Sequence, residues 1–311
     1  MQKARKVKKG DTIGLIGPSG AIRTAGSLEK SIALVEELGF KVKVGESCAQ
    51  KYGYLSGTDD VRARDVNAMF ADDEIDAIIC VKGGYGTMRM LDQLDYDLVR
   101  ANPKIFMGYS DITAMHVAYL EKSGLVSFHG PMPASCWVDG LDEITWASML
   151  DMLMNAPKQR VIANPEGKPH QTVNPGVCEG MLVGGNLSLI DGLLGTPYEL
   201  DTKGRVLFLE DIGEKTYRLD HMLTHLRLAG KFDDCAGIVL GHFTDCPVEF
   251  PEFGLTLEEI VRDIVAPCGK PVFSGFQVGH ALPNLTIPFG VHCRMDADKG
   301  TITLLEAPLV D

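Results

Sequence analysis

Three short segments, far apart in the chain, each end an apolar run with a side chain able to take part in bond-making. They are Gly108-Tyr109-Ser110-Asp111-Ile112-Thr113, Leu207-Phe208-Leu209-Glu210-Asp211, and Gly279-His280 followed by Pro283-Asn284 and Pro288. Each apolar run reads as a strand that would deliver its reactive residue to a sheet edge. Between them they supply a hydroxyl, a carboxylate and an imidazole. Those are the groups that acyl transfer through a covalent intermediate needs.

Ser110 follows Ile105-Phe106-Met107 and precedes a helical stretch with Ile112, Met115 and Tyr119 on one side. A strand-turn-helix junction lifts a hydroxyl clear of the sheet and aims the helix's N–H groups and positive dipole end at an oxyanion formed there. The elbow pattern G-x-S-x-G is half met, because Ile112 stands where its second glycine would be. The plain alternative is a helix N-cap. Lys82-Gly83-Gly84-Tyr85-Gly86 follows the buried-looking run Ile75 to Val81. Its glycines let backbone approach a ligand and could present a second oxyanion donor, or they could make an ordinary tight turn. No G-x-G-x-x-G dinucleotide fingerprint is present, and Gly17-Pro18-Ser19-Gly20 lacks the Gly-Lys-Ser/Thr of a phosphate loop.

Glu210 ends the run Val206 to Leu209, where a carboxylate can fix the tautomer of an imidazole; alternatively the acidic segment through Glu214 is a solvated turn. His280 lies in a loop signature and is the side chain best suited to act as a base near neutrality. His221 and His225 stand at i, i+4, but Met222 replaces the glutamate of H-E-x-x-H, and the pair flanks a core stripe. No metal site is expected there. His129, in Phe128-His129-Gly130-Pro131, could line the same strand edge as Ser110.

The elements that must position these residues alternate. Thr12 to Ile16, Lys41 to Val44, Ile75 to Val81, Ile105 to Met107 and Val126 to Phe128 predict strands. Ser27 to Leu38, Val61 to Phe70 and Ile112 to Leu120 predict helices, the first with Leu28, Ile32, Val35 and Leu38 on one face and Gly39 closing it. This alternation implies a parallel sheet with helices on both faces and ligands at the carboxyl ends of its strands. Residues 156–176 carry Pro157, Pro165, Pro169 and Pro175 with little periodicity and read as a linker. It would separate a nucleophile-bearing α/β domain over 1–155 from a C-terminal domain over 177–311 carrying the acid and base. That second half shows strands at Arg205 to Leu209, Gly237 to Leu240 and Thr301 to Leu305, and a helix with Leu219, Met222, Leu223 and Leu226 in a stripe.

At 311 residues, 45% hydrophobic and 23% charged, the chain can bury a sizeable core, and two domains are expected. A formal net charge of -12 argues against bulk binding to nucleic acid or an anionic membrane, so an acidic substrate needs a local basic pocket. The eight cysteines include no C-x-x-C, which suits neither a zinc ribbon nor a redox dithiol and fits a reducing compartment. The basic N-terminus is followed by an apolar run too short for a signal peptide, and no stretch is long enough for a membrane span. A cytoplasmic location is expected.

Taken together with Gly184-Gly185-Asn186-Leu187, Tyr217-Arg218-Leu219-Asp220 and Asn284, these segments resemble the LD-carboxypeptidase family of serine peptidases over nearly the whole chain, to about residue 296. That family includes murein-recycling LD-carboxypeptidases and microcin C immunity peptidases. The resemblance implies an N-terminal parallel-sheet α/β domain of flavodoxin or amidotransferase type, with a second, smaller mixed α/β domain. It implies Ser110 as nucleophile, His280 as general base and Glu210 as the residue orienting it. It also implies an oxyanion hole of backbone N–H groups, placed here at Gly84 and Asp111. No cofactor is implied. The implied partner is a small peptide, a murein tetrapeptide losing its terminal D-alanine, and a homodimer is suggested.

Family members commonly carry arginine before the paired glycines, where this chain has Lys82, a point charge instead of a planar fork. Lys82, Arg89 and Arg218 are the cationic candidates for a terminal carboxylate, Arg218 doubling as a helix-start residue. Three alternatives stay open: an immunity-type peptidase cleaving peptidyl- or aminoacyl-nucleotides, a non-catalytic peptide-binding module, and a glutamine amidotransferase using Cys80. Nucleotide recognition would favour an aromatic stacking residue, and the two tryptophans, Trp137 and Trp146, lie outside the reactive segments.

Overall fold

The β-branched runs of the N-terminal half become a largely parallel sheet in the computed structural model, which describes residues 1–155, 157–249 and 252–311. Numbered in chain order, β1 (Thr12–Ile16), β2 (Lys41–Val44), β3 (Ala77–Cys80), β4 (Ile105–Gly108), β5 (Ser127–His129) and β12 (Ile287–Phe289) are arranged β12-β5-β4-β3-β1-β2. The first five pair in parallel, and β12 lies antiparallel to β5. Every residue of β3 and β4 is buried, as in a strand covered on both faces. Helices Ser27–Glu37, Asp59–Ala71 and Thr113–Ser123 occupy connections between these strands. Phe70, Phe106 and Tyr119 form an edge-on aromatic cluster with centroids 5.0 Å (Phe106–Tyr119) and 5.5 Å (Phe70–Tyr119) apart.

The first helix buries a different stripe from the apolar one. Ser27, Ser31 and Val35 are buried, while Leu28, Ile32 and Leu38 are only half-buried. Ser31 Oγ–H donates to Ser27 O at 2.6 Å, so a small polar side chain is satisfied within the helix and allows close packing.

The chain divides into two units. The first is Met1–Ala156, Leu285–Gly290 and Pro308–Asp311; the second is Pro157–Asn284 and Val291–Ala307. The second holds an eight-stranded mixed sheet of β6 (Val161–Ala163), β7 (Gln171–Asn174), β8 (Val177–Asn186), β9 (Val206–Ile212), β10 (Gly237–Thr244), β11 (Val272–Ser274), β13 (Val291–Asp296) and β14 (Thr301–Leu304). Its order is β6-β14-β13-β8-β9-β10-β11-β7. The central β8 to β11 are parallel and the flanking pairs antiparallel. Helix Thr216–Leu228 buries Leu219, Met222, Leu223 and Leu226, the stripe their spacing implies.

Two boundaries differ from those expected. The stretch 156–176 is not a free linker: it supplies β6 and β7, the two edge strands of the second sheet. Residue 156 itself lies outside the described residues. Its four prolines fall outside both strands, so no ladder bond is lost to them. The domain expected over 177–311 is also interrupted, because 285–290 and 308–311 belong to the first unit. There Ile287, Pro288 and Phe289, all buried, cover the open edge of β5. No helix among the described residues is long and apolar enough to cross a membrane.

Candidate active site

In the first unit, β4 ends in a strained turn. Ser110 has φ +66°, a left-handed value that costs a non-glycine residue about 1–2 kcal/mol. The helix that follows opens with a 3-10 turn, Ser110–Ile112, and neither start has a side-chain cap hydrogen bond. The N-cap alternative for Ser110 therefore fails, and its hydroxyl is left for other work. Space for the turn comes from glycines on either side. A Cβ on Gly83 would stand 3.0 Å from Ser110 Cβ and 3.2 Å from its Oγ; one on Gly108 would stand 2.9 Å from Ile112 Cγ1. Ile112 thus folds onto Gly108, which explains how the turn forms without the elbow's second glycine.

Asp111 ties the turn to its neighbours. Its buried Oδ2 accepts Ser19 Oγ–H at 2.6 Å and Thr87 N–H at 2.9 Å, while Thr87 Oγ1–H donates to Asp111 O at 2.6 Å. Arg62, wholly buried, donates from Nη1 to Pro18 O at 2.6 Å and Gly86 O at 2.8 Å, and pairs with Asp59. Asp111 and Arg62 together hold the loops after β1 and β3 in place. Gly84 is exposed with φ +128°. Among the described residues, no loop or turn hydrogen bond uses the N–H of Gly84 or Asp111.

Beneath the turn, His116 Nε2–H donates to Gly108 O at 2.9 Å, and its Nδ1 accepts Ser127 Oγ–H at 2.8 Å. A carbonyl can only accept, which sets the tautomer. Burial pushes His116 down to about 3, with the Gly108 bond opposing and His129 adding slightly. The folded value lies below the unfolded one, so the unfolded chain binds the extra proton. His116's contribution to stability is therefore complete above about pH 6.5 and lost as pH falls from there toward 3. Between pH 6.5 and 5 the loss should be about 2 kcal/mol. Urea unfolding of wild type and His116→Gln at both pH values checks this; the variant should lack that share of the pH dependence.

Beside Gly84 opens a cleft of about 610 Å3 lined by Gly20, Ala21, Arg23, Tyr54, Lys82 and Tyr85. Lys82 is half-buried; burial, then the charge of Arg23, push it down from the usual lysine range, and no carboxylate opposes them. Two cations that repel each other next to an open cleft favour an anion. Arg89, by contrast, is committed to Asp59, with Nε at 3.0 Å and Nη2 at 2.8 Å from its oxygens. Arg23 has no motif to mark it; its only sequence signal is a position in the loop that follows β1.

The second unit brings Glu210 and His280 together. Glu210 is fully buried within β9, two residues before its end, and its Oε2 accepts His280 Nδ1–H at 2.6 Å. Burial overturns the solvated-turn alternative. Gly184 makes room: a Cβ there, at φ +128°, would lie 1.9 Å from Phe208 O, so only glycine lets β8 lie against β9 here. The neighbouring Asp211 accepts Asn186 Nδ2–H at 2.9 Å and Ser188 Oγ–H at 2.6 Å, stapling β9 to the helix Leu187–Leu193. Burial raises its pKa and those bonds oppose the rise. The loop carrying His280 is held by Asn284, whose Oδ1 accepts Gly279 N–H at 3.0 Å. A Cβ on Gly279 would meet Glu210 Oε2 at 2.8 Å.

Other candidates are placed elsewhere. Arg218 sits in the first turn of Thr216–Leu228, with Nε 3.7 Å from Glu214 Oε2. His225 Nδ1 is hydrogen-bonded to Asp191 Oδ1 at 2.8 Å. His129 is buried on β5, its ring 5.6 Å from that of Tyr109. Cys80 is completely buried and its thiol is pushed well above the usual range, so it cannot serve as an amidotransferase nucleophile. Trp137 and Trp146 pack on each other with centroids 5.0 Å apart.

Known proteins match this chain along most of its length. The LD-carboxypeptidase N-terminal domain matches residues 13–130, and the LD-carboxypeptidase C-terminal domain matches residues 179–295. A Bacillus subtilis protein named "Probable murein peptide carboxypeptidase" is 40% identical over 97% of this chain and 94% of its own. The muramoyltetrapeptide carboxypeptidase of Oxalobacter formigenes superposes with TM-score 0.83 at 28% identity, covering 94% of this chain and 97% of its own. A variant of the microcin C7 self-immunity protein MccF, in complex with adenosine monophosphate, superposes with TM-score 0.93 at 26% identity over 100% of both chains.

Proposed function

Because the chain belongs to the LD-carboxypeptidase family of serine peptidases, we propose that it removes the terminal D-alanine from murein tetrapeptides, with Ser110, His280 and Glu210 as its catalytic groups. The observation that carries this reading is the buried Glu210 carboxylate accepting the Nδ1–H of His280 at 2.6 Å. That bond leaves Nε2 as the basic nitrogen. Ser110 Oγ attacks the carbonyl of the L-configured centre and His280 Nε2 takes its proton. The oxyanion is met by the N–H groups of Gly84 and Asp111, and His280 returns the proton to the departing amine of D-alanine. Water then releases the acyl group by the same steps in reverse. A cytoplasmic setting accords with eight unpaired cysteines, and a homodimer belongs to the same reading.

Lys82 and Arg23 bind the free terminal carboxylate in this scheme. Replacing both with alanine should lower kcat/KM for the tetrapeptide about 100-fold, while a tetrapeptide ending in D-alanine amide loses far less. Equal losses on both substrates would remove them from that role. The exposed Tyr54 and Tyr85, with ring centroids 5.6 Å apart at the cleft, favour a second reading in which a base stacks there and a nucleotide-linked amide is cleaved. A product profile by mass spectrometry separates them. Released D-alanine supports the first reading; intact tetrapeptide with a cleaved peptidyl-nucleotide supports the second. Turnover of neither would leave only a binding module.

A further inference from the structure

Strand β10 bulges opposite Glu210. Leu240 pairs with Leu209 and Phe243 with Asp211, so Gly241 and His242 together face one residue of β9. Gly241 has no room for a side chain, since a Cβ would lie 2.5 Å from Val278 O and 2.8 Å from the Phe208 ring. His242 then grips the base-bearing loop at two points. Its backbone N–H donates to Val278 O at 2.9 Å, and its Nδ1 accepts Ala281 N–H at 3.2 Å. These contacts bracket His280.

We propose that His242, as a neutral imidazole, is a positioning residue for the general base, holding the backbone on both sides of His280 so that its ring meets Glu210 and presents Nε2. The inference rests on reading His280 as the base. An N–H can be accepted only by a bare Nδ1, so the His242 proton resides on Nε2. Protonating Nδ1 would set one N–H against another and break the contact with Ala281. Burial pushes His242 below the usual imidazole range. A hydrogen bond to Gln277 and the charge of Glu210 oppose this, while His280 and Lys168 add to it. His242 also stands on the wall of a cavity of about 510 Å3 to which Glu258, Glu259 and Arg262 contribute. Protonation of His242 should therefore steepen the acid limb of log kcat beyond slope 1 over about one to two pH units.

The test compares His242→Phe, which keeps the ring's bulk and removes the acceptor, with His242→Asn, whose Oδ1 can take the place of Nδ1. For D-alanine release, His242→Phe should lower kcat about 10- to 100-fold with KM nearly unchanged. His242→Asn should recover most of that loss and show an acid limb of slope 1. In 15N-labelled wild type, the Ala281 amide resonance should follow the titration of the His242 ring, and this coupling should vanish in His242→Phe. That signal needs no turnover, so a chain that shows it but releases no D-alanine upholds the contact and rejects the proposed reaction. Wild-type kcat in His242→Phe, no recovery in His242→Asn, or an Ala281 amide indifferent to His242 would each overturn the inference.

Discussion

Ser110→Ala should lower kcat for tetrapeptide hydrolysis about 10⁶-fold while leaving tetrapeptide binding close to wild type. The hydroxyl is the only side-chain group in the scheme that forms a bond to carbon, and without it the remaining machinery acts on water alone. Binding by calorimetry and single-turnover release of D-alanine would together establish the split. The same position makes a second, opposite demand on stability. Alanine keeps the strain of φ +66°, whereas glycine relieves it, so Ser110→Gly should be equally inactive yet about 1 kcal/mol more stable to urea. A serine kept as a helix cap would behave the other way, losing about 1 kcal/mol on replacement by alanine and a few tenths on replacement by glycine. A destabilised Ser110→Gly would mean that the turn is not held under strain.

Glu210→Gln should lower kcat about 10⁴-fold with KM changed little. Glutamine matches glutamate in shape, so the buried site within β9 can hold it. Its amide, however, can donate to His280 Nδ1, which would place the ring proton on Nε2 and leave no base facing the serine. Even with the correct tautomer, the imidazolium formed as Ser110 loses its proton would lack the buried negative charge that sits 2.6 Å from Nδ1. Steady-state kinetics on the variant decides the matter. A loss under tenfold would show that the carboxylate does not orient or charge-stabilise the base.

How far the sequence anticipates this site depends on how local each determinant is. β1 spans Thr12–Ile16 as its apolar run implies, because a buried parallel strand is written in consecutive residues. Ser110 and Glu210 stand out in the sequence for the same reason: each follows such a run. Features that depend on distant partners were not legible. β12 pairs with β5 across about half the chain, and nothing in Ile287-Pro288-Phe289 names that partner. The edge strands β6 and β7 lie in a proline-rich stretch whose pairing is visible only once β14 and β11 are in place. Arg62 lies in the helical stretch Val61 to Phe70 with no motif around it, yet it is wholly buried, donating to two loop carbonyls from other segments. Asp111 read as an oxyanion donor through its backbone, but its side chain proves equally committed, to Ser19 and Thr87. The bulge at Gly241-His242 is a mismatch in count between two strands and cannot be seen in either one.

The joint action of Ser110 with the Glu210–His280 pair is tested most directly by labelling with a serine-directed fluorophosphonate, followed by intact-mass and peptide mapping. The expected result is one adduct per chain on Ser110, absent in Ser110→Ala and formed at least about 100-fold more slowly in His280→Ala. An adduct on another residue, or labelling of Ser110 at an undiminished rate without His280, would contradict it.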